Sequence, residues 1–345
     1  MKRSIVVSCG LLVTLVSSGQ VSSLSKLDSA IIVGDKIIET DTREFFRNVE
    51  SMIVYSKGAV KFEKYYNGFV RDSLHHIQSQ TKSIVALLMG IAIDMGFVKS
   101  EDELVAKFYP DFSGNGDELK SRIRIRDLLT MSSGFRWEEM LPLTDPKNDN
   151  MNMYRSGKWL NYALERPMVT EPFTGFKYNS GCPMIVAGII EKSSKMTLDD
   201  FAKKFLFDPL GIKDYYWLKD SSGFCHAGGG LYMRPLDMLK IGVLVLNKGK
   251  WEDRQIISQG WIQKATLSYF PTSFDISSYG YFWWIREMKI REGKTTKMIS
   301  AEGAGGQNLY IIPEYGLVIG FTERNYRTPQ VGPLFIKESV LKALD

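Results

Sequence analysis

One stretch of the chain constrains its fold more than any other. Residues 83–93, SIVALLMGIAI, carry no charged side chain, and their apolar residues occupy every face of a helix. A helix that is apolar nearly all round is buried in the core of a domain. This stretch is also too short to span a bilayer, which takes about 20 apolar residues. The sequence therefore predicts a central core helix that ends near Gly96.

A lysine and a serine stand at the head of this predicted helix. Ser79 and Lys82 are three residues apart, so helical geometry places their side chains on one face, about a turn apart. The free N–H groups and dipole of a helix N-terminus favour negative charge there. Burial disfavours the charged form of a lysine, and a deprotonated amine can take the proton of a serine hydroxyl. A simple helix cap by Ser79, with Lys82 reaching water, is the alternative to an activated nucleophile.

Length and composition are those of an ordinary globular protein. The 345 residues suffice for one large domain or two interleaved ones, and the net charge of +5 is scattered along the chain. This pattern does not favour nucleic acid as a partner. The three histidines, His75, His76 and His226, have no Cys or carboxylate cluster at ligand spacing. Neither a metal nor an organic cofactor is expected.

The N-terminus has the pattern of an export signal. A positive start is followed by an apolar run over residues 5–16 and then by small residues. We expect a signal peptide at residues 1–22, a mature domain at 23–345 without a membrane span, and a periplasmic or secreted protein; an uncleaved N-terminal anchor is the alternative. Export would allow Cys182 and Cys225 to pair, but free buried thiols fit the sequence equally well.

Strand-like and helical patterns divide the chain into regions. Residues 51–68 predict a β-hairpin around Lys57 and Gly58, and short strand-like runs from about 279 are followed by a last helix. Between them, helical periodicity dominates. These patterns predict an α+β fold, in which an antiparallel sheet from both ends of the chain (about 45–80 and 275–345) is flanked by helices and a mainly helical region (about 97–240) is inserted.

Three motifs carry a family resemblance. The string Ser79-Gln80-Thr81-Lys82-Ser83 resembles the S-x-x-K nucleophile helix of the serine β-lactamase and penicillin-binding-protein superfamily. Tyr178-Asn179-Ser180 stands where that superfamily has a Tyr-x-Asn or Tyr-x-Ser turn, and Ala301-Glu302-Gly303 stands where it has a Lys-Thr-Gly or His-x-Gly strand. The resemblance covers residues 50–345 and is strongest to the class C and esterase branch, including the 6-aminohexanoate-dimer (nylon oligomer) hydrolases.

This resemblance implies the β-lactamase/transpeptidase-like fold and an acyl-enzyme mechanism on an ester or amide. Ser79 would be the nucleophile, while Lys82 and Tyr178 would transfer protons. The backbone amides of Ser79 and Ala304 would form the oxyanion hole, worth about 3–4 kcal/mol per donor. Ser180, Glu302 and Gly303 would contact the substrate. Taken singly, Tyr178 could be a buried strand-edge residue and residues 300–313 a Gly-rich turn.

The third motif departs from the family pattern because Ala301 replaces its basic residue. In β-lactamases that residue helps to hold the substrate carboxylate, so a β-lactam is not the expected substrate here, unless Lys294 or Lys297 takes its place. Two alternatives remain: a β-lactamase or D-alanyl-D-alanine carboxypeptidase, and a non-catalytic penicillin-binding-like sensor.

Other motifs are assigned no catalytic role. The aromatic run 279–284 favours core packing over a substrate cleft, and residues 124–135 and 228–242 are interpreted as packing and loop-shaping elements. G-x-S-x-G, Walker A, H-E-x-x-H and G-x-G-x-x-G motifs are absent from the sequence.

Overall fold

The computed structural model describes residues 25–112, 117–275 and 277–344. Its strands are β1 (Val49–Ser56), β2 (Ala59–Tyr65), β3 (His75–His76), β4 (Tyr215–Trp217), β5 (Leu231–Met233), β6 (Lys250–Trp251), β7 (Arg254–Gln255), β8 (Phe270–Pro271), β9 (Ser278–Tyr279), β10 (Trp284–Arg291), β11 (Lys294–Gly303), β12 (Gln307–Ile312) and β13 (Leu317–Glu323). The predicted signal peptide lies outside the described residues.

The helices are α1 (Lys26–Thr40), α2 (Glu44–Arg47), α3 (Gln80–Asp94), α4 (Val105–Phe108), α5 (Glu118–Ser121), α6 (Ile125–Leu129), α7 (Asp149–Ser156), α8 (Trp159–Leu164), α9 (Gly181–Ser194), α10 (Leu198–Ala202), α11 (Pro235–Leu246), α12 (Gln259–Ala265), α13 (Val331–Phe335) and α14 (Leu341–Ala343). A π-helical turn, Lys203–Phe207, extends α10, and another, Ile336–Val340, joins α13 to α14. None of the helices described has the length and apolar character needed to cross a bilayer.

An eight-stranded sheet unites the two ends of the chain. Its order is β2-β1-β13-β12-β11-β10-β9-β8, and every pairing is antiparallel. The predicted hairpin is confirmed: Lys57 and Gly58, with φ of 50° and 83°, form the turn between β1 and β2. β1 then pairs with β13, so that Ile53 lies opposite Gly320. This arrangement confirms the predicted α+β class.

Apolar layers cover both faces of the sheet. On one face, buried side chains of α3, α9 and α11 form a core with inward-facing residues of β11, β12 and β13. On the other face, Ile31 and Ile38 of α1 pack with Phe335, Val340 and other residues of the C-terminal helices. The sheet is therefore covered on both sides, and every residue of β12 and β13 is buried, with no alternation of buried and exposed positions.

The predicted core helix is α3. Each residue from Gln80 to Ala92 is buried, and the helix ends at Asp94; Met95 is its C-cap, and Gly96 follows with a φ of 77°. Gly90 lets the indole of Trp261 lie directly on the helix, where its Nε1 donates to the carbonyl of Ala86 at 3.0 Å. Burial of α3 holds its N-terminus in one place.

A small second sheet lies beside that N-terminus. β3 pairs with β5, and β5 with β4, all antiparallel. Strands of two or three residues are too short to show alternation, so the sequence did not distinguish β4 and β5 from the surrounding helices and loops. Their pairing brings the segment Gly228–Gly230 against the turn that precedes α3, since the amide of Ile77 donates to the carbonyl of Leu231.

Candidate active site

Ser79 stands at the junction of β3 and α3. The residue before it, Gln78, has a φ of 52°, a left-handed conformation that is uncommon for a residue with a side chain. Ser79 itself has φ of −65° and occupies the N-cap position of α3, but its side chain makes no capping hydrogen bond. Instead its Oγ accepts a hydrogen bond from Lys82. The geometry therefore does not support the simple helix-cap alternative.

Lys82 lies directly behind Ser79. Its side chain is 1% exposed, and its Nζ donates to Ser79 Oγ at 2.9 Å and to the carbonyl oxygen of Gly228. The same Nζ lies 5.0 Å from the centre of the Tyr178 ring. Within the described residues, no carboxylate forms an ion pair with Lys82, so its contacts are a hydroxyl, a carbonyl and an aromatic face.

Tyr178 belongs to the turn that leads into α9. Asn179 Oδ1 accepts from the amide of Gly181 at 2.7 Å, which shapes the first turn of that helix. The half-buried Tyr178 ring stacks on Trp284, with 5.9 Å between centroids and 21° between planes. Phe274 and Tyr279 meet it edge-on. This aromatic cage fixes the ring beside Lys82.

Ser180 is tied to a carboxylate that the sequence analysis did not identify. Its amide and its hydroxyl donate to the two oxygens of Glu139, at 2.6 and 2.9 Å. Trp137 Nε1 also donates to Glu139, at 2.5 Å. Glu139 thus holds the turn that carries Tyr178, and its side chain lines the same pocket as Ser180.

The third motif ends β11 and enters the turn to β12. A Cβ on Gly303 would lie 2.4 Å from the carbonyl oxygen of Ile77, so only glycine allows this close approach to the segment before Ser79. Ala301 is buried in the core, whereas Glu302 reaches the pocket. Lys297 donates to Thr266 O at 2.7 Å and Lys294 lies over the ring of Tyr315; neither lines the pocket.

These elements enclose a pocket of about 630 Å³. Lys82 lies behind the wall of this pocket. Six of the predicted site residues form part of the wall itself: Ser79, Tyr178, Ser180, Glu302, Gly303 and Ala304. Of the aromatic run, Tyr279, Tyr281, Phe282 and Trp283 are buried in the core as predicted, but Trp284 lines the pocket.

The histidines are not partners of Ser79. His226 lines the pocket, and its burial is the main cause that lowers the pKa of His226 to about 3. Burial also lowers the pKa of His76, whose Nε2 contacts the carbonyl of Gly229. His75 pairs with Glu50 at 2.6 Å.

In the part of the chain that the structure describes, no group of His, Cys, Asp and Glu side chains could hold a metal ion. Cys182 and Cys225 are free, buried thiols.

Comparison with known sequences places this pocket in a family. Residues 48–334 match the family described as Beta-lactamase. The chain belongs to the beta-lactamase family. A curated relative, the 6-aminohexanoate-dimer hydrolase of Paenarthrobacter ureafaciens, is 25% identical over 290 residues, which are 78% of this chain and 71% of the relative. The predicted family and its hydrolase character are confirmed.

Two solved structures share the fold of this chain. EstCE1, described as a hydrolase with promiscuous acyltransferase activity, superposes with a TM-score of 0.75 at 14% identity and covers 92% of this chain and 98% of its own. A penicillin-binding protein homologue from Caulobacter crescentus superposes with a TM-score of 0.71 at 15% identity, covering 91% and 96%. At 14% and 15% sequence identity, these similarities show a common fold.

Three site residues of this beta-lactamase-family chain were missed by sequence analysis. Glu139 and Arg286 lie outside the motifs, and Gly228 was interpreted as loop-shaping although its carbonyl accepts from Lys82. The glycine run 228–230 was the one available signal, because three consecutive glycines indicate close approach of backbone to another group. Nothing in the local pattern distinguishes Glu139 or Arg286 from surface charges.

Proposed function

We propose that this protein is a serine hydrolase that cleaves an ester or a linear amide through an acyl-enzyme on Ser79. The observation that carries the proposal is the 2.9 Å hydrogen bond between Lys82 Nζ and Ser79 Oγ on the wall of a pocket. A buried amine at hydrogen-bond distance from a serine is the arrangement that activates a hydroxyl as a nucleophile.

In the acylation step, Ser79 Oγ attacks the substrate carbonyl carbon while its proton passes to Lys82. Tyr178, whose ring lies 5.0 Å from that amine, then delivers a proton to the leaving oxygen or nitrogen and receives the proton held by Lys82 in exchange. The amides of Ser79 and Ala304 stabilise the negative charge on the carbonyl oxygen of the tetrahedral intermediate. The leaving group departs as an alcohol or amine.

In the deacylation step, a water molecule attacks the acyl carbonyl, and its proton passes to Lys82 either directly or through Tyr178, so that Lys82 can return a proton to Ser79. Ser79 recovers its proton as the acid product leaves. Glu139 takes part in neither transfer; it keeps Ser180, and with it the Tyr178 turn, at a constant position through hydrogen bonds of 2.6 and 2.9 Å.

Linear amides and esters are the substrate class that we favour. The curated relative from Paenarthrobacter ureafaciens is named for a dimer of an amino acid. The pocket of about 630 Å³ is lined in part by exposed apolar side chains, including Met140, Leu143 and Phe274, which suit an aliphatic or aromatic acyl chain.

We also propose that the protein is exported. The apolar run at residues 5–16, its positive flank and the small residues that follow support a signal peptide at 1–22 and a mature domain at 23–345. Mass spectrometry of the protein recovered from a periplasmic or secreted fraction tests this: a mature chain beginning near residue 23 is expected, and an intact Met1 would contradict it.

The first test of the catalytic proposal is labelling with a fluorophosphonate, followed by peptide mapping. We expect one adduct per chain, on Ser79, and hydrolysis of p-nitrophenyl acetate. Ser79→Ala should lose both while its melting temperature stays nearly unchanged. Ser83→Ala is the matched control: this serine is on the same helix, but its hydroxyl donates to the carbonyl of Phe282 inside the core. A Ser79→Ala protein with full activity would falsify the mechanism.

A further inference from the structure

The charges on the pocket wall are unbalanced. Among the described residues that line the pocket, Arg286 is the only lysine or arginine, while Glu139 and Glu302 contribute two carboxylates. His76 and His226 also line it, and burial keeps the pKa of each below its ordinary value, so both are uncharged near neutral pH. Lys82 lies behind Ser79 rather than on the wall. A substrate therefore meets a surface of net negative charge.

Arg286 is already occupied by carboxylates. Its Nη1 donates to Glu302 Oε1, and its Nε donates to Asp275 Oδ2 at 2.9 Å. Nη1 also donates to the hydroxyl of Ser300 at 3.0 Å, and that hydroxyl donates onward to Glu302 at 2.6 Å. The Arg286 side chain is only 14% exposed. One guanidinium thus faces two carboxylates, and the cluster Asp275/Arg286/Glu302 carries a net negative charge.

We infer that Glu302 makes the site selective for substrates without a carboxylate beside the scissile bond. This inference rests on the proposed hydrolase function and specifies its substrate class. A substrate carboxylate that approached the edge of β11 would have to compete with Glu302 for Arg286 and would lie beside a like charge, which is unfavourable in a partly desolvated pocket. Uncharged and cationic groups meet no such cost, because Glu302, 26% exposed, still offers its oxygens to the pocket.

Neither lysine of β11 relieves this arrangement. Lys297 is bound to the carbonyl of Thr266, and Lys294 lies at the far end of β11 over Tyr315. The selectivity therefore depends on a single side chain. A substitution that removes the charge of Glu302 but keeps its shape should leave Asp275 as the one remaining carboxylate partner of Arg286 in this cluster. A substrate carboxylate could then bind beside Arg286.

Two matched pairs of probes test the inference, one on each side of the scissile bond. On the acyl side, p-nitrophenyl succinamate is compared with p-nitrophenyl monosuccinate; on the leaving-group side, 3-acetoxybenzamide is compared with 3-acetoxybenzoate. The quantity measured is the ratio of kcat/KM for the carboxylate probe to kcat/KM for the amide probe. This ratio is independent of the fraction of protein that is folded.

For the native protein we expect a ratio well below one, after correction for non-enzymatic reactivity, in at least one pair. Glu302→Gln should raise that ratio about tenfold, which is a modest fraction of a close charge–charge interaction. Glu287→Gln is the control, since Glu287 is exposed, lies one residue from Arg286 on β10 and is absent from the pocket wall. The ratio of kcat/KM for the carboxylate and amide probes should be the same in Glu287→Gln as in the native protein.

The outcomes separate the inference from the proposed function. Native preference for the carboxylate probes, an unchanged ratio in Glu302→Gln, or an equal rise in Glu287→Gln would each overturn the inference while leaving a working hydrolase. If none of the four probes is turned over and Ser79 resists fluorophosphonate, the proposed function fails, and the inference fails with it.

Discussion

At the scale of the residue, the proposed activation of Ser79 depends on the contacts of Lys82. Its Nζ bonds Ser79 Oγ at 2.9 Å and lies on the face of the Tyr178 ring. We predict that Lys82→Ala slows labelling by fluorophosphonate about 10²- to 10⁴-fold, the usual contribution of a general base. Lys177→Ala is the control, because Lys177 is one residue before Tyr178 but is exposed and paired with Glu138. Labelling of Lys82→Ala at the native rate would rule out the assigned role.

Glu139 matters through the donors that converge on it. Its removal would leave the Ser180 amide, the Ser180 hydroxyl and Trp137 Nε1 without their acceptor, and each unsatisfied buried donor costs about 1–3 kcal/mol. We predict that Glu139→Ala lowers kcat at least tenfold, because the Tyr178 turn loses its fixed position, and lowers the melting temperature. Glu138→Ala is the control, because it removes an exposed neighbour of Glu139. Its kcat and its melting temperature should stay close to those of the native protein. Steady-state kinetics and thermal unfolding measure the two effects.

At the scale of elements, the packing of α12 on α3 decides where the N-terminus of α3 lies. A Cβ on Gly90 would come within 2.2 Å of the Trp261 ring, which is 4% exposed and cannot move into solvent. We predict that Gly90→Ala destabilises the protein by about 1–3 kcal/mol, as overpacking of a core does. Urea unfolding measures this change.

The control for that prediction is the same substitution on the partner helix. Gly260 lies in α12 with no atom near the position that a Cβ would take. Gly260→Ala should therefore be neutral or stabilising by up to about 1 kcal/mol, since alanine favours helix over glycine. Equal effects of the two substitutions would contradict the packing argument.

At the scale of the whole molecule, Glu323 joins the C-terminal helices to the central sheet. It ends β13, and its carboxylate accepts from Asn325 Nδ2 and from the amides of Val331 and Gly332 at 2.6–2.9 Å. Burial is the main cause that raises the pKa of Glu323 to about 7, partly offset by these hydrogen bonds. The buried carboxyl group therefore releases its proton in the folded protein near neutral pH.

The sign of the resulting pH dependence follows from linkage. Between pH 4.5 and about 7 the folded state binds more protons at Glu323 than the unfolded state, so this residue's contribution to stability falls as pH rises through that range. The free energy of unfolding should decrease by about 3 kcal/mol from this group. Glu323→Gln should lose that slope, whatever its absolute stability.

Urea unfolding at pH 5 and pH 8 measures the slope, and Glu338→Gln is the control. Glu338 lies in the same C-terminal segment but is exposed and paired with Lys342. The free energy of unfolding should fall between pH 5 and pH 8 by the same amount in Glu338→Gln as in the native protein. In Glu323→Gln this fall should be smaller. An identical slope in all three proteins would contradict the assignment to Glu323.

The sequence by itself determined the features that depend on neighbours along the chain. The apolar run 83–93 requires a buried helix, Lys57 and Gly58 require a turn, and the spacing of Ser79 and Lys82 puts their side chains on one face. The three motifs, together with the family resemblance that they carry, identified in advance six residues that now share one pocket wall. Their catalytic roles stay predictions.

Only the tertiary structure decided which distant groups share that pocket. Glu139 reaches Ser180 across 41 residues, Lys82 reaches Gly228 across 146, and Arg286 reaches Glu302 by crossing to the neighbouring strand. These contacts depend on how α9 and the segment 228–230 pack around α3 and on the register of β10 against β11. Periodicity reports only whether a side chain faces inward, so it cannot tell which charged residues meet inside a cleft.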